Sequence, residues 1–394
     1  MAHRSHFKES QELYDEVVQL TRDMVEIRSV NPPGSEGEMA DFTESYLQDL
    51  GINTKSVLLE EGSKERRSVV GRIPGKNEGS IALCGHLDTV DVTEKSWSFP
   101  PFEPVLEDGK IYGRGSADMK GGVAVILATA KALMESGRQP ENDVIVALTA
   151  DEEAGYGGAY SLVNNGILND DVELLIVTEP TDGKAYIGEK GELWVDVNFS
   201  GKAAHGSTPD QGINAVLLAA EFSTRIVEEV RSFPNDRLLG STSINVGQFE
   251  GGWQVNIVPE KATVKLDIRL IKEEHKELAI DAIMEVGEEL VDRYGGSFDT
   301  EITTYQEPIV SDRENEKVSG FLRAASQGNE FSAGGEEAIV PYCTDASAII
   351  PQLASPLIIC GPGEIEMAHQ PDEYVEVDSL TETLKTFLDF FGFG

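Results

Sequence analysis

Six residues of a chemically useful kind stand where short apolar runs end. His86 and Asp88 follow Ile81–Cys84 in Gly85-His86-Leu87-Asp88-Thr89. Glu152 and Glu153 follow Val144–Leu148 in Thr149-Ala150-Asp151-Glu152-Glu153, and Glu179 follows Leu174–Val177 in Val177-Thr178-Glu179-Pro180. His369 lies a short loop beyond Leu357–Cys360. Asp118 joins them from a glycine-rich segment, Gly113-Arg114-Gly115-Ser116-Ala117-Asp118-Met119-Lys120-Gly121-Gly122, which leads into an apolar helix pattern. Each has an ordinary alternative. His-x-Asp suits a hydrogen-bonded loop histidine, Asp118 suits a helix N-cap, and three adjacent acids suit a solvated loop. Together, two histidines and three carboxylates suit two zinc-like ions sharing one bridging carboxylate. An Asp two residues after a ligating His can accept a hydrogen bond from its other ring nitrogen and fix the tautomer.

The elements that must position these groups follow from periodicity. Residues 15–27 and 36–50 have helical spacing, and Gly121–Met134 is a small-and-apolar helix ended by Gly137. Alternating with them, residues 69–73, 81–84, 144–148 and 174–177 are short apolar runs suited to buried strands. This predicts an α/β sheet covered by helices, with ligands bound beyond the carboxyl ends of its strands. After Gly188 the pattern changes. Strands over 193–199, 243–249, 263–270 and 298–303, with helices over 213–230 and 274–291, give the β-α-β-β-α-β order of a ferredoxin-like unit. A helix over 317–328 and a strand over 357–360 resume the α/β pattern. The expected domains are therefore 1–187 with 304–394, interrupted by 188–303.

Composition excludes other classes. At about 150 residues per domain, 394 residues make two or three, and 40% hydrophobic residues supply a core. The formal net charge of −38 repels nucleic acid and anionic lipid, so neither is an expected partner. Cys84, Cys343 and Cys360 are far apart, without the clustering of a thiolate metal site or a disulfide framework. No apolar run reaches the roughly 18 residues of a membrane span, and the polar N-terminus lacks the apolar core of a secretory signal. A cytoplasmic protein is expected. Gly155-Tyr156-Gly157-Gly158 is expected to start a helix rather than cradle a nucleotide, and His3, His6 and His275 are expected to be solvated.

The segments Gly85–Val90, Gly113–Gly122, Asp151-Glu152-Glu153 and Thr178-Glu179-Pro180-Thr181 resemble, in order and over nearly the whole chain, the M20 metallopeptidase and deacylase family. The resemblance implies a zinc-binding α/β catalytic domain interrupted by a ferredoxin-like lid that also dimerises. It implies two divalent ions, zinc or cobalt. Asp118 would bridge them, with His86 and Glu179 completing one site and Glu153 and His369 the other. Glu152 would be the general base and Asp88 would steady His86. Gly201–Ser207 resembles the family's lid histidine motif, which implies that His205 donates to the developing oxyanion. Asn256-Ile257-Val258-Pro259 and Asp267-Ile268-Arg269 resemble substrate-contact segments, Arg269 pairing a substrate carboxylate. Gly361-Pro362-Gly363, Ala368–Tyr374 and Tyr342-Cys343-Thr344-Asp345 resemble most the family's acetylornithine deacetylases, with Asp345 where those carry Glu. Asp345 is accordingly expected to favour a cationic substrate side chain. The implied substrate is an N-acyl amino acid; a desuccinylase, another amidohydrolase or dipeptidase, and a non-catalytic binding protein are the alternatives.

Overall fold

The computed structural model describes residues 11–59, 65–327 and 338–393; His3 and His6 lie outside them. The chain opens with helices α1 (Gln11–Glu26) and α2 (Gly37–Asp49) and strands β1 (Asn53–Leu58), β2 (Arg67–Ile73) and β3 (Ser80–His86). Helix α3 (Gly121–Glu135), strand β4 (Asp143–Thr149), helix α4 (Gly157–Asn164) and strand β5 (Val172–Pro180) follow. The sequence then enters a second unit: β6 (Gly191–Ser200), α5 (Ala215–Arg231), β7 (Ser243–Gly251), β8 (Lys261–Leu270), α6 (Glu274–Tyr294) and β9 (Ser297–Gln306). It returns through α7 (Glu316–Gln327), α8 (Ala346–Leu353), β10 (Leu357–Gly361) and α9 (Val377–Phe390). Among the described residues one compact unit holds 11–188, 310–327 and 344–393, and the other holds 189–309 and 338–343.

The first unit is built on a mixed six-stranded sheet in the order β1-β2-β4-β3-β5-β10. β3 runs parallel to β4 and β5, and β5 parallel to β10, while β2 is antiparallel to β4 and β1 to β2. The central strands are buried along nearly their whole length, as expected where helices cover both faces. Helix α3 packs against β3, β4 and β5 and against α1, α2 and α9; α4 and α8 pack on one another, α4 also on β1 and β2 and α8 on β5. At the start of α3, a Cβ on Gly122 would lie 2.1 Å from the Thr178 carbonyl oxygen, so only glycine allows this helix so close to β5.

The second unit has the expected order. Its antiparallel sheet runs β7-β8-β6-β9, with alternating inward residues such as Leu193, Val195, Val197 and Phe199 packed on α5 and α6. His275 departs from expectation. It is buried, and its Nδ1 lies 2.6 Å from Thr242 Oγ1, because α6 turns this position towards the sheet.

Candidate active site

The parallel strands deliver their terminal residues to one edge. His86 is the last residue of β3 and is paired in register with Thr149, the last of β4; Glu179 is the penultimate residue of β5. Glu152 and Glu153 begin a single helical turn just beyond β4. That turn is bounded by Asp151 and Tyr156 at φ +69° and +60°, and His369 has φ +63°. Left-handed non-glycine residues cost about 1–3 kcal/mol each and cluster where a structure over-determines them. Tyr156 leads directly into α4, so the Gly155–Gly158 segment does start a helix.

Asp118 sits at the centre. Its Oδ1 is 3.0 Å from His86 Nε2 and its Oδ2 is 3.3 Å from His369 Nε2. His369 Nε2 is also 3.1 Å from Glu153 Oε2, and His86 Nε2 is 3.7 Å from Glu179 Oε1. Asp118 does not cap α3, whose N-cap is Lys120 with no side-chain capping bond. His86, Asp118 and Glu153 each offer a ligand atom within 4.8 Å of the others.

The electrostatics of the cluster ask for cations. Burial, then the charges of neighbouring carboxylates, push Glu152 and Glu179 well above the usual carboxylate range, although His86 opposes this. Burial, then Asp118, raises Glu153. Asp118 is held below its usual range despite burial, because both histidines bond to it. Glu153 Oε1 is buried without a hydrogen-bond partner. Among the described residues no Lys or Arg pairs with Asp118, Glu152, Glu153 or Glu179. An orphaned buried oxygen, four crowded carboxylates and two imidazoles form a donor set that fits divalent metal ions.

Asp88 acts differently from expectation. His86 Nδ1 donates to the Asp88 backbone carbonyl at 2.9 Å, while the Asp88 carboxylate oxygen is 3.7 Å away. The carboxylate instead accepts the backbone N–H groups of Glu152 (3.2 Å) and Glu153 (3.1 Å). A residue two positions on reaches back more easily with its carbonyl, which leaves the side chain free to hold the acidic turn. Asn31, which lay outside the expected set, donates from its amide nitrogen to both Asp88 Oδ2 and Asp151 Oδ1, each at 2.9 Å. Arg66 pairs with Asp151 and with the buried Glu36.

Asp345 is also corrected. It is 1% exposed, and its carboxylate accepts from Thr149 Oγ1, with Cys84 Sγ 3.8 Å away. Burial behind the ends of β3 and β4 removes it from a direct substrate contact. Burial also raises its pKa to about 6.

The second unit holds the remaining candidates. His205 is exposed, and its Nδ1 accepts the Ser207 backbone N–H at 3.1 Å and lies 2.7 Å from Ser207 Oγ. An Nδ1 that accepts carries no proton, so the neutral ring presents Nε2–H as donor. Asn256 adjoins this loop: its backbone carbonyl accepts from Gly206 N at 2.8 Å. Arg269 is not a free clamp. Glu192 (2.7 Å) and Asp267 (2.8 Å) already bracket its guanidinium.

The profile of peptidase family M20/M25/M40 matches residues 82–391. The chain belongs to that family. This M20 hydrolase acts on amide bonds. It is 30% identical to a probable succinyl-diaminopimelate desuccinylase from Staphylococcus epidermidis, over 95% of this chain and 96% of that one. Among solved structures, a tripeptidase from Staphylococcus aureus superposes with a TM-score of 0.81 at 22% identity, covering 96% of this chain and 97% of the other. A dinuclear metal-binding peptidase of the M20 family from Bacillus subtilis gives 0.73 at 17% identity, covering 97% and 98%. No helix among the described residues of this M20 chain is long and apolar enough to cross a membrane.

Proposed function

We propose that this protein is a two-metal amidohydrolase that cleaves the amide bond of small N-acyl amino acids. The observation that carries the reading is Asp118, whose two carboxylate oxygens each face a different histidine. His86, Asp118 and Glu179 would hold one divalent ion, and Asp118, Glu153 and His369 the other; zinc is the first choice and cobalt the second. Such ions supply Lewis acidity towards an amide carbonyl and towards water. Glu152 takes the proton of the attacking water and passes it to the departing amine nitrogen. Asp88 holds Glu152 and Glu153 through their backbone N–H groups, which keeps the base in a fixed relation to a metal-binding carboxylate.

An acetylornithine deacetylase-like substrate remains the best single choice from the C-terminal segments. Asp345 is buried and Arg269 is already bracketed by Glu192 and Asp267, so the reading rests on neither. A desuccinylase is the second reading, favoured by the Staphylococcus epidermidis relative. Turnover of N-acetyl, N-formyl and N-succinyl amino acids and of dipeptides, with added Zn²⁺ or Co²⁺, separates these. N-acetyl substrates should lead; a clear preference for N-succinyl ones selects the second reading, and no hydrolysis of any removes both.

His205 is proposed as the oxyanion donor, since its Nε2–H is the free donor of a ring fixed by Ser207. His205→Ala should lower kcat by about 10²-fold, with metal content and thermal midpoint unchanged. An unaltered kcat would return His205 to a role in ordering its loop.

We also propose a homodimer through the second unit. β7 is an edge strand, and Phe249 on it, Trp253 and Val255 beyond it, and Leu217 on the adjacent α5 are exposed, Trp253 by 75%. An apolar edge of this kind invites pairing with a second copy. Trp253→Glu should convert a dimer to a monomer in sedimentation; a wild-type monomer at micromolar concentration refutes the dimer. The setting is proposed as cytoplasmic, in accord with the absence of a disulfide among the described residues.

A further inference from the structure

We infer that Glu373 is a positioning residue that staples together the two loops carrying Asp118 and His369, and so sets the affinity of the metal position they share. The inference rests on the two-metal reading. Glu373 is fully buried and lies four residues after His369 in sequence. Its Oε1 accepts the backbone N–H groups of Ala117 (2.9 Å) and Asp118 (3.1 Å), and its Oε2 pairs with the buried Arg114. Its own carbonyl accepts from Gly113 N at 2.9 Å. The next residues, Tyr374–Glu376, add a strand to Lys110–Tyr112. One side chain thus bonds the peptide of one ligand while its backbone continues the loop of another.

The His369 loop needs such an anchor. The His369 side chain is 52% exposed, so packing alone does not hold its ring 3.3 Å from Asp118 Oδ2. Asp372, three residues after His369, adds a tie by accepting from Ser98 N and Phe99 N. Among the described residues the Asp118 side chain bonds to the two histidines alone, and the Glu373 contact to its N–H fixes its backbone. A carboxylate that orients ligands from outside the coordination sphere commonly governs metal affinity 10–100-fold.

The test must separate the staple from the ion pair, because removing Glu373 alone would strand Arg114 as a buried charge. Two double variants do so. Arg114→Met with Glu373→Gln keeps an acceptor oxygen for Ala117 and Asp118; Arg114→Met with Glu373→Met removes it at similar volume. The readout is Zn²⁺ affinity of the stripped, full-length protein in competition with a chromophoric chelator, with the metal-free thermal midpoint as a check on folding. The Gln pair should bind two Zn²⁺ within about threefold of wild type. The Met pair should bind at least one of them about 10–100-fold more weakly, and excess Zn²⁺ should restore its kcat. If the Met pair does not fold, Glu373→Asp, which keeps the charge but shortens the reach by one methylene, should show the weakening instead. Equal affinity in the two pairs, tight or weak, overturns the staple, as does wild-type affinity in Glu373→Asp. A wild-type protein that binds no Zn²⁺ overturns the two-metal reading itself, and the staple with it.

Discussion

Asp118→Ala should lose both metal ions and nearly all hydrolysis. Among the described residues Asp118 is the one carboxylate within 4 Å of both histidines, at 3.0 and 3.3 Å. Without it, His86 Nε2 keeps Glu179 and His369 Nε2 keeps Glu153 as carboxylate neighbours among the described residues, and neither pair is a site for a tetrahedral ion. Lewis acidity is worth several kcal/mol to an amide-hydrolysing transition state, and each ~1.4 kcal/mol is tenfold in rate. A fall of at least about 10³-fold in kcat/KM follows. Wild-type protein stripped by a chelator should match the variant, and only the wild type should recover when Zn²⁺ or Co²⁺ is returned. Metal analysis of the two proteins at equal concentration checks it, with circular dichroism to show that the variant is folded. Two bound ions in Asp118→Ala would remove the bridge.

Most of the ligand cluster was legible in sequence because three of its members end a strand or lie in the helical turn just beyond one. His86, Glu153 and Glu179 follow apolar runs that could only be buried parallel strands, and parallel strands deliver their ends to one edge. The supporting residues were not legible, for a physical reason. Asn31 meets Asp88 across 57 residues and Asp151 across 120, and Glu373 meets Asp118 across 255. No local period marks such a residue; only the fold does. The same holds for Asp345, a polar residue in sequence that the start of α8 buries against Thr149.

Elements at the margins divide in a similar way. β1 alternates without a buried face apart from Val57, as an edge strand does, and was not expected. α8 contains Pro351, which argues against a helix in sequence, yet the proline falls in its last turn. α9 had a clear signal, with Leu380, Leu384, Phe387 and Leu388 at helical spacing and buried, and was simply absent from the expected elements.

Glu152→Gln is the sharpest separation of base from ligand. The substitution preserves shape and leaves the Glu152 backbone N–H on Asp88, so the turn stays in place. It removes the ability to accept a proton, and general acid–base steps contribute about 10²–10⁴-fold. It also removes one negative charge from a site where burial and the Glu179 and Glu153 charges already press against ionisation. The metal-free protein should therefore be no less stable, and the loss should fall on kcat rather than KM. Glu153→Gln, the same change one residue on, should behave in the opposite way. Glu153 Oε2 faces His369 and its Oε1 is the orphaned buried oxygen, so its amide should release a metal ion that excess Zn²⁺ restores only in part. Metal content and kcat measured on the two variants side by side decide the roles. A Glu152→Gln protein without metal beside a metal-replete, inactive Glu153→Gln protein would exchange them.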